Sequence, residues 1–106
     1  MRIRNTKTQF PEESEIIAKA SDALAHPLRV ELFKYIYKAN MGRKKLCTKD
    51  LVEAFGYSQS TISQHMNKLT GSGLIEIKKE GSHSFYFVNI GMLGKYLDAV
   101  KTINKQ

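Results

Sequence analysis

At 106 residues the chain has the length of one domain, and its 42% hydrophobic content excludes an intrinsically disordered protein. A formal net charge of +7, with a pI near 9.6, calls for an anionic partner, either nucleic acid or a membrane surface. A single cysteine, Cys47, excludes an internal disulfide framework, and no apolar run approaches the roughly 20 residues of a membrane span.

Residues 1–10 show no periodicity and read as a flexible arm ahead of one domain covering 1–106. The arm is basic but lacks the roughly 7–15-residue apolar core of a signal peptide, so the expected location is the cytoplasm. Phe10-Pro11-Glu12-Glu13 opens a first helix, with proline in the first turn and acids at the positive end of the helix dipole. Ile16, Ala20, Ala23 and Leu24 share a face, and Pro27 should end this helix near His26. Pro27 then opens a second helix. Leu28, Leu32, Tyr35, Ile36 and Ala39 line one side of it, and Val30, Phe33 and Tyr37 the other. A helix apolar on both sides belongs in the middle of a core. Asn40-Met41-Gly42 stops it.

A third, short helix is predicted behind an N-cap at Thr48, with Leu51, Val52 and Phe55 as its apolar positions. Gly56-Tyr57 makes a tight turn and Ser58 caps a fourth helix running from Gln59 to Thr70, closed by Gly71-Ser72-Gly73. The period then falls from about 3.6 to 2. Leu74 to Lys79 is one strand, Glu80 to His83 a turn, and Ser84 to Asn89 the antiparallel partner. Asn89 caps a last helix over residues 90–106, in which Leu93, Leu97 and Val100 share a face flanked by Tyr96 and Ile103. The order α-α-α-α-β-β-α is mostly helical with one small hairpin, which is a winged helix-turn-helix.

The fourth helix carries the functional signal. At about 100° per residue, Ile62, Met66 and Leu69 fall in one narrow arc. Ser60, Ser63, Gln64 and Asn67 fall opposite, with Gln59, Thr61 and Lys68 at the edges. That outer face holds no carboxylate, whereas a solvated face ordinarily mixes both signs of charge. Gln and Asn pair bidentately with adenine, and short hydroxyls permit close approach to a groove floor. With Ser58 at its start, the segment 58–69 is the candidate recognition helix. Lys78, Lys79 and His83 belong to a candidate wing, 78–84, that reaches the phosphate backbone or a minor groove. The two lysines also suit an edge strand protected against aggregation, and Glu80 weakens the case for a DNA contact there.

Taken together, these segments resemble the ArsR/SmtB family of bacterial winged-helix repressors over about residues 20–90. Ala23-Leu24-Ala25-His26-Pro27-Leu28-Arg29-Val30 resembles the family's Pro-x-Arg step, and Cys47-Thr48-Lys49-Asp50-Leu51 the opening of its third helix. Ser58 to Met66 resembles the recognition helix, and Gly73-Leu74-Ile75 the start of the wing. The resemblance implies a homodimer built from the first and last helices, binding double-stranded DNA at an imperfect palindromic operator. Ile16, Leu93, Tyr96, Leu97, Val100 and Ile103 would form its interface. The last helix supports a dimer independently, because its apolar surface is large for so small a domain.

The family's metal switches lack their ligands. Where one site uses a Cys-x-Cys pair, this chain has Cys47 followed by Lys49, with Arg43, Lys44 and Lys45 close by. Where another uses Asp and His on the last helix, only Asp98 is present. No metal or cofactor is therefore expected. Cys47 reads first as a half-buried structural cysteine; it is also a candidate redox thiol, because nearby cations favour thiolate, with Cys47 of a second subunit as its one resolving partner. Two functions compete: a sequence-specific DNA-binding repressor and a winged-helix module that binds protein. No Ser-His-acid set, paired carboxylates or phosphate-binding glycine loop suggests an enzyme.

Overall fold

The computed structural model describes residues 9–105, so most of the arm expected over 1–10 lies outside the described residues. The first helix, α1 (Glu12–Ala23), begins behind Pro11 with Glu12, Glu13 and Glu15 in its first turn. It stops three residues short of His26, because His26 belongs to the next helix. The His26 ring caps α2 (Pro27–Met41), its Nδ1 accepting from the Leu28 N–H at 3.1 Å. Pro27 occupies the first helical position, where a missing N–H leaves nothing unsatisfied.

Burial on α2 corrects the expectation of a two-sided core helix. Leu32, Phe33 and Ile36 are buried, but Tyr35 and Tyr37 are 43% and 38% exposed. The fourth helix and the second strand pack against α2, leaving Tyr37 on a face that the described residues do not cover. Tyr35 instead meets Phe55 edge-on, with ring centroids 5.3 Å apart. The α2 terminus falls where Asn40-Met41-Gly42 is expected to stop it, with Gly42 as its cap. The residue behind it, Arg43, is left-handed, with φ at 66°.

Helix α3 (Thr48–Phe55) is capped by Cys47, not Thr48. The Asp50 carboxylate accepts from the Cys47 backbone N–H at 2.9 Å, which frees the Thr48 hydroxyl to meet the Tyr86 phenol at 2.9 Å. Gly56, left-handed with φ 76°, ends α3, and Ser58 starts α4 (Gln59–Gly71). The strands β1 (Ile75–Glu80) and β2 (His83–Val88) pair antiparallel, with Ile75 opposite Val88 and Glu80 opposite His83. The connecting turn is therefore two residues, Gly81 and Ser82, and not the four expected. Gly81 has φ 64° while Ser82 is not left-handed, the pattern of a type II′ turn that matches strand twist. Helix α5 (Ile90–Lys101) follows at once, capped by the Asn89 side chain on Met92 N–H, and ends in a 3-10 turn, Thr102–Asn104.

One core joins these elements. Leu32 and Ile36 of α2, Leu51 of α3, Ile62, Met66 and Leu69 of α4, and Leu74 and Ile75 are all but sealed from solvent. Each such side chain contributes about 1.5–3 kcal/mol by leaving water. The hairpin is tied to this core at its root. Leu46 forms a bridge to Tyr86, whose N–H donates to the Leu46 carbonyl at 2.8 Å. Asn40 adds a second tie: its Oδ1 accepts from Val88 N–H at 2.9 Å and its Nδ2 donates to the Lys44 carbonyl at 3.1 Å.

Candidate nucleic-acid interface

Helix α4 is amphipathic because its sequence alternates apolar and polar residues at helical spacing, and the core takes only one arc. Ile62, Met66 and Leu69 are sealed inside, which fixes the rotation of the helix about its axis. Gln59, Ser60, Gln64, Asn67 and Lys68 are left exposed on the outside, with Ser63 half-buried among them. The structure thus brings together the polar face anticipated from the sequence. Three of its hydroxyls are already engaged, for Ser60 Oγ stands 3.3 Å from Ser58 Oγ. Ser58 Oγ accepts from Thr61 N–H at 3.2 Å and meets Thr61 Oγ1 at 3.0 Å, so these two residues close the helix start. The face is also less free of acid than the helix alone suggests, for Asp22 of α1 stands 3.8 Å from Lys68 Nζ.

Strand geometry separates the wing residues. Successive side chains on a strand point to opposite faces, so Lys78 and Lys79 cannot present to one groove together. Lys79 lies opposite Ser84, on the same face as Ile75 and Val88 of the core but beyond it, at the tip. Lys78 lies opposite Phe85 and holds its ammonium 5.2 Å from the Phe87 ring. His83 is exposed beside the turn and stacks loosely on Phe85, with centroids 6.0 Å apart. Glu80 is not an idle acid in the tip: Lys45 pairs with it at 2.6 Å.

Sequence reasoning missed the groups that hold these surfaces in place. Arg29, noted only as part of a Pro-x-Arg step, donates from Nε to the Ala23 carbonyl at 2.7 Å and from a terminal nitrogen to His65 Nδ1 at 3.2 Å. His65 lies on α4, and its ring centroid is 4.8 Å from that of His26. Burial above all, then the nearby His26 and Arg29, hold the His65 imidazole below its ordinary pKa of 6.5. Asn40 was read as a helix stop and proves to be the hairpin's tether. No periodicity could have signalled either role, since both partners are distant in sequence.

The residues proposed for a dimer divide in two. Leu93, Tyr96 and Val100 are half-buried against their own chain, and Tyr96 meets Ser21 Oγ of α1 at 3.2 Å. Leu97 and Ile103 are 50% and 70% exposed. Ile16 is half-buried along a cleft between α1 and α5, with Glu13, Lys95 and Asp98 among its walls. On another part of the surface Tyr37 and Leu93 line an apolar groove with Phe33 and Lys34.

Cys47 is half-buried, and its S–H donates to Asp50 at 3.3 Å, so its nearest charged neighbour is a carboxylate and not one of the adjacent lysines. Among the described residues no three His, Cys, Asp or Glu side chains come together as a metal site would need. A lone thiol already shared with a carboxylate, followed by Lys49, does not fit a soft metal ion. Nor, among the described residues, is any helix long and apolar enough to cross a membrane.

Comparison with known proteins agrees with this geometry. Residues 26–76 match the family described as bacterial regulatory protein, arsR family. An arsenical resistance operon repressor of Staphylococcus xylosus is 31% identical over 96 residues, covering 88% of this chain and 84% of that one. One of the same description from Staphylococcus aureus is 35% identical over 60 residues, covering 57% of this chain and 58% of its own length. Among solved structures, a homodimeric winged helix-turn-helix DNA-binding domain of Mycobacterium bovis superposes with a TM-score of 0.68. It is 16% identical, and the match covers 98% of this chain and 94% of that one.

Proposed function

Since the chain belongs to the arsR family of bacterial regulatory proteins and is a winged-helix, DNA-binding transcriptional repressor, we propose that it grips its operator as a homodimer, with α4 in the major groove. The observation that carries this reading is the outer face of α4. Ser60, Gln64 and Asn67 are exposed side by side, on a helix whose rotation is fixed by three sealed apolar residues. Exposed amide and hydroxyl groups there meet base edges with both donors and acceptors, which an acidic or apolar face could not do.

Gln64 and Asn67 are the base readers, and Ser60 and Ser63 allow close approach. Gln59 and Lys68 border the face, and Ser58 and Thr61 secure its start. Lys79 at the tip of the wing contacts phosphate, while Lys78 and His83, on the opposite face of the hairpin, contribute a second, weaker approach to the backbone. A second copy docks on Leu97 and Ile103, together with Leu93, Tyr96, Val100 and Ile16, and places two recognition helices about 34 Å apart on an imperfect palindrome. The location that suits this work is the cytoplasm, on the chain's 1–106 single domain. Among the described residues no set for catalysis comes together to support an enzymatic role.

The test is selection of bound duplexes from a random pool, followed by titration with the selected site. Gln64→Ala should cost about 1–3 kcal/mol at one base position and relax selectivity there. Lys79→Ala should weaken binding to all sequences alike and reduce the salt slope by about 0.9. Unchanged selectivity in both Gln64→Ala and Ser60→Ala would show that another surface reads the bases. The competing idea of a module that binds protein alone is not favoured, because the family and the named relatives are transcriptional regulators.

A further inference from the structure

The inner flank of the recognition helix carries a polar cluster that base reading does not explain. Arg29 stands at its centre. Its guanidinium ties the end of α1, through the Ala23 and Asp22 carbonyls at 2.7 and 3.4 Å, to His65 on α4 at 3.2 Å. One rigid fork thus connects three helices: α1 by its last carbonyls, α2 by its own backbone, and α4 by an imidazole. Arginine has no acceptor and is always charged, so in this contact His65 Nδ1 must accept. An imidazolium has no lone pair to offer. The same condition applies next door, where His26 Nδ1 accepts from Leu28 N–H.

The charged and titratable neighbours of His65 are the Arg29 guanidinium and the His26 imidazole from α2, and Lys68 on its own helix. Among the described residues the carboxylate on this side is Asp22 of α1, which is paired with Lys68 and 71% exposed in its side chain. A proton on His65 would replace a hydrogen bond with two like charges about 3 Å apart, which the exposed Asp22 offsets poorly. The base readers Gln64 and Asn67 are one and two positions away on the same helix, so a shift at His65 is a shift at the reading face.

We propose that Arg29 is a positioning residue for DNA recognition, seating α4 through a neutral His65, and that a proton on His65 undoes that seat and lowers operator selectivity in acid. The proposal rests on the DNA-binding reading above. Burial above all, then His26 and Arg29 beside it, already disfavour that proton, so the seat is intact at neutral pH. Sign and window follow from this. The folded state holds His65 below the 6.5 that it would have unfolded, so the contribution is whole above 6.5 and is lost as pH falls below it.

The experiment compares the full chain with His65→Gln, which keeps an acceptor and cannot titrate in this range. Binding to a duplex selected from a random pool, and to a random duplex of the same length, is measured at about pH 7.5 and about pH 5.5 at fixed ionic strength. The ratio of the two affinities cancels the general attraction of any protonated histidine to phosphate. The ratio for the wild-type chain should fall about tenfold in acid, the scale of one lost base contact. In His65→Gln it should keep its neutral value at both pH values. A flat wild-type ratio, or an equal acid loss in His65→Gln, overturns the proposal. Nitrogen NMR of the free protein supplies an independent reading: His65 should carry its proton on Nε2 at neutral pH and titrate below 6.5. A proton on Nδ1 would also overturn it. A chain that bound neither duplex would defeat the DNA-binding reading itself, while an intact NMR signature would reduce Arg29–His65 to a structural contact.

Discussion

Helices α4 and α5 are close in length and alike in pattern, yet their apolar residues meet opposite fates. On α4, Ile62, Met66 and Leu69 are sealed at 0%, 1% and 0% exposure. On α5 only Ala99 is fully buried, while Leu97 remains half exposed and Ile103, in the turn beyond, more so. An amphipathic helix records that one face wants to leave water, not where it goes. For α4 the destination is the chain's own core, which leaves its polar face exposed. For α5 the described residues supply α1 on one side and leave Leu97 exposed on the other, the side on which the proposed second copy would dock.

Truncation on the two helices should therefore break different things. Ile62→Ala should destabilise the fold by about 2–5 kcal/mol in urea unfolding, because the cavity opens in a sealed core. Leu97→Glu should leave fold stability nearly unchanged yet weaken self-association by about 2–4 kcal/mol in sedimentation equilibrium. A monomer equally destabilised by both changes would erase the distinction. Between the helices stands the hairpin, and Asn40→Ala should cost about 1–3 kcal/mol by leaving Val88 N–H and the Lys44 carbonyl without a partner. Its effect should appear first as faster hydrogen exchange in β2, with α4 still protected. The smallest change has the opposite sign: Arg43→Gly should raise stability by about 1 kcal/mol, since arginine there holds a left-handed backbone.

The element order, the polar face of α4 and the exposed apolar residues of α5 were legible in the chain because each is a local periodicity. Ser60, Ser63, Gln64 and Asn67 share an arc wherever the helix is placed, so finding them together required no tertiary information. Boundaries were less secure. Asp50 takes over the capping of α3 and moves the cap to Cys47, while the two-residue turn at Gly81 shifts both strands one residue toward it. Lys78 and Lys79 looked equivalent until the register put them on opposite faces.

What the sequence by itself determined is the order of elements, the acid-free outer arc of α4 and the surplus of apolar residues at the C-terminal end. Spacing and composition suffice for these, since they depend only on residues a few positions apart. Only the tertiary structure decided which cations are free and which are held. Lys68 finds Asp22, Lys45 finds Glu80, and Arg29 spans 36 positions to reach His65. Such contacts exist only once the core has fixed the helices against one another, because nothing local links their partners.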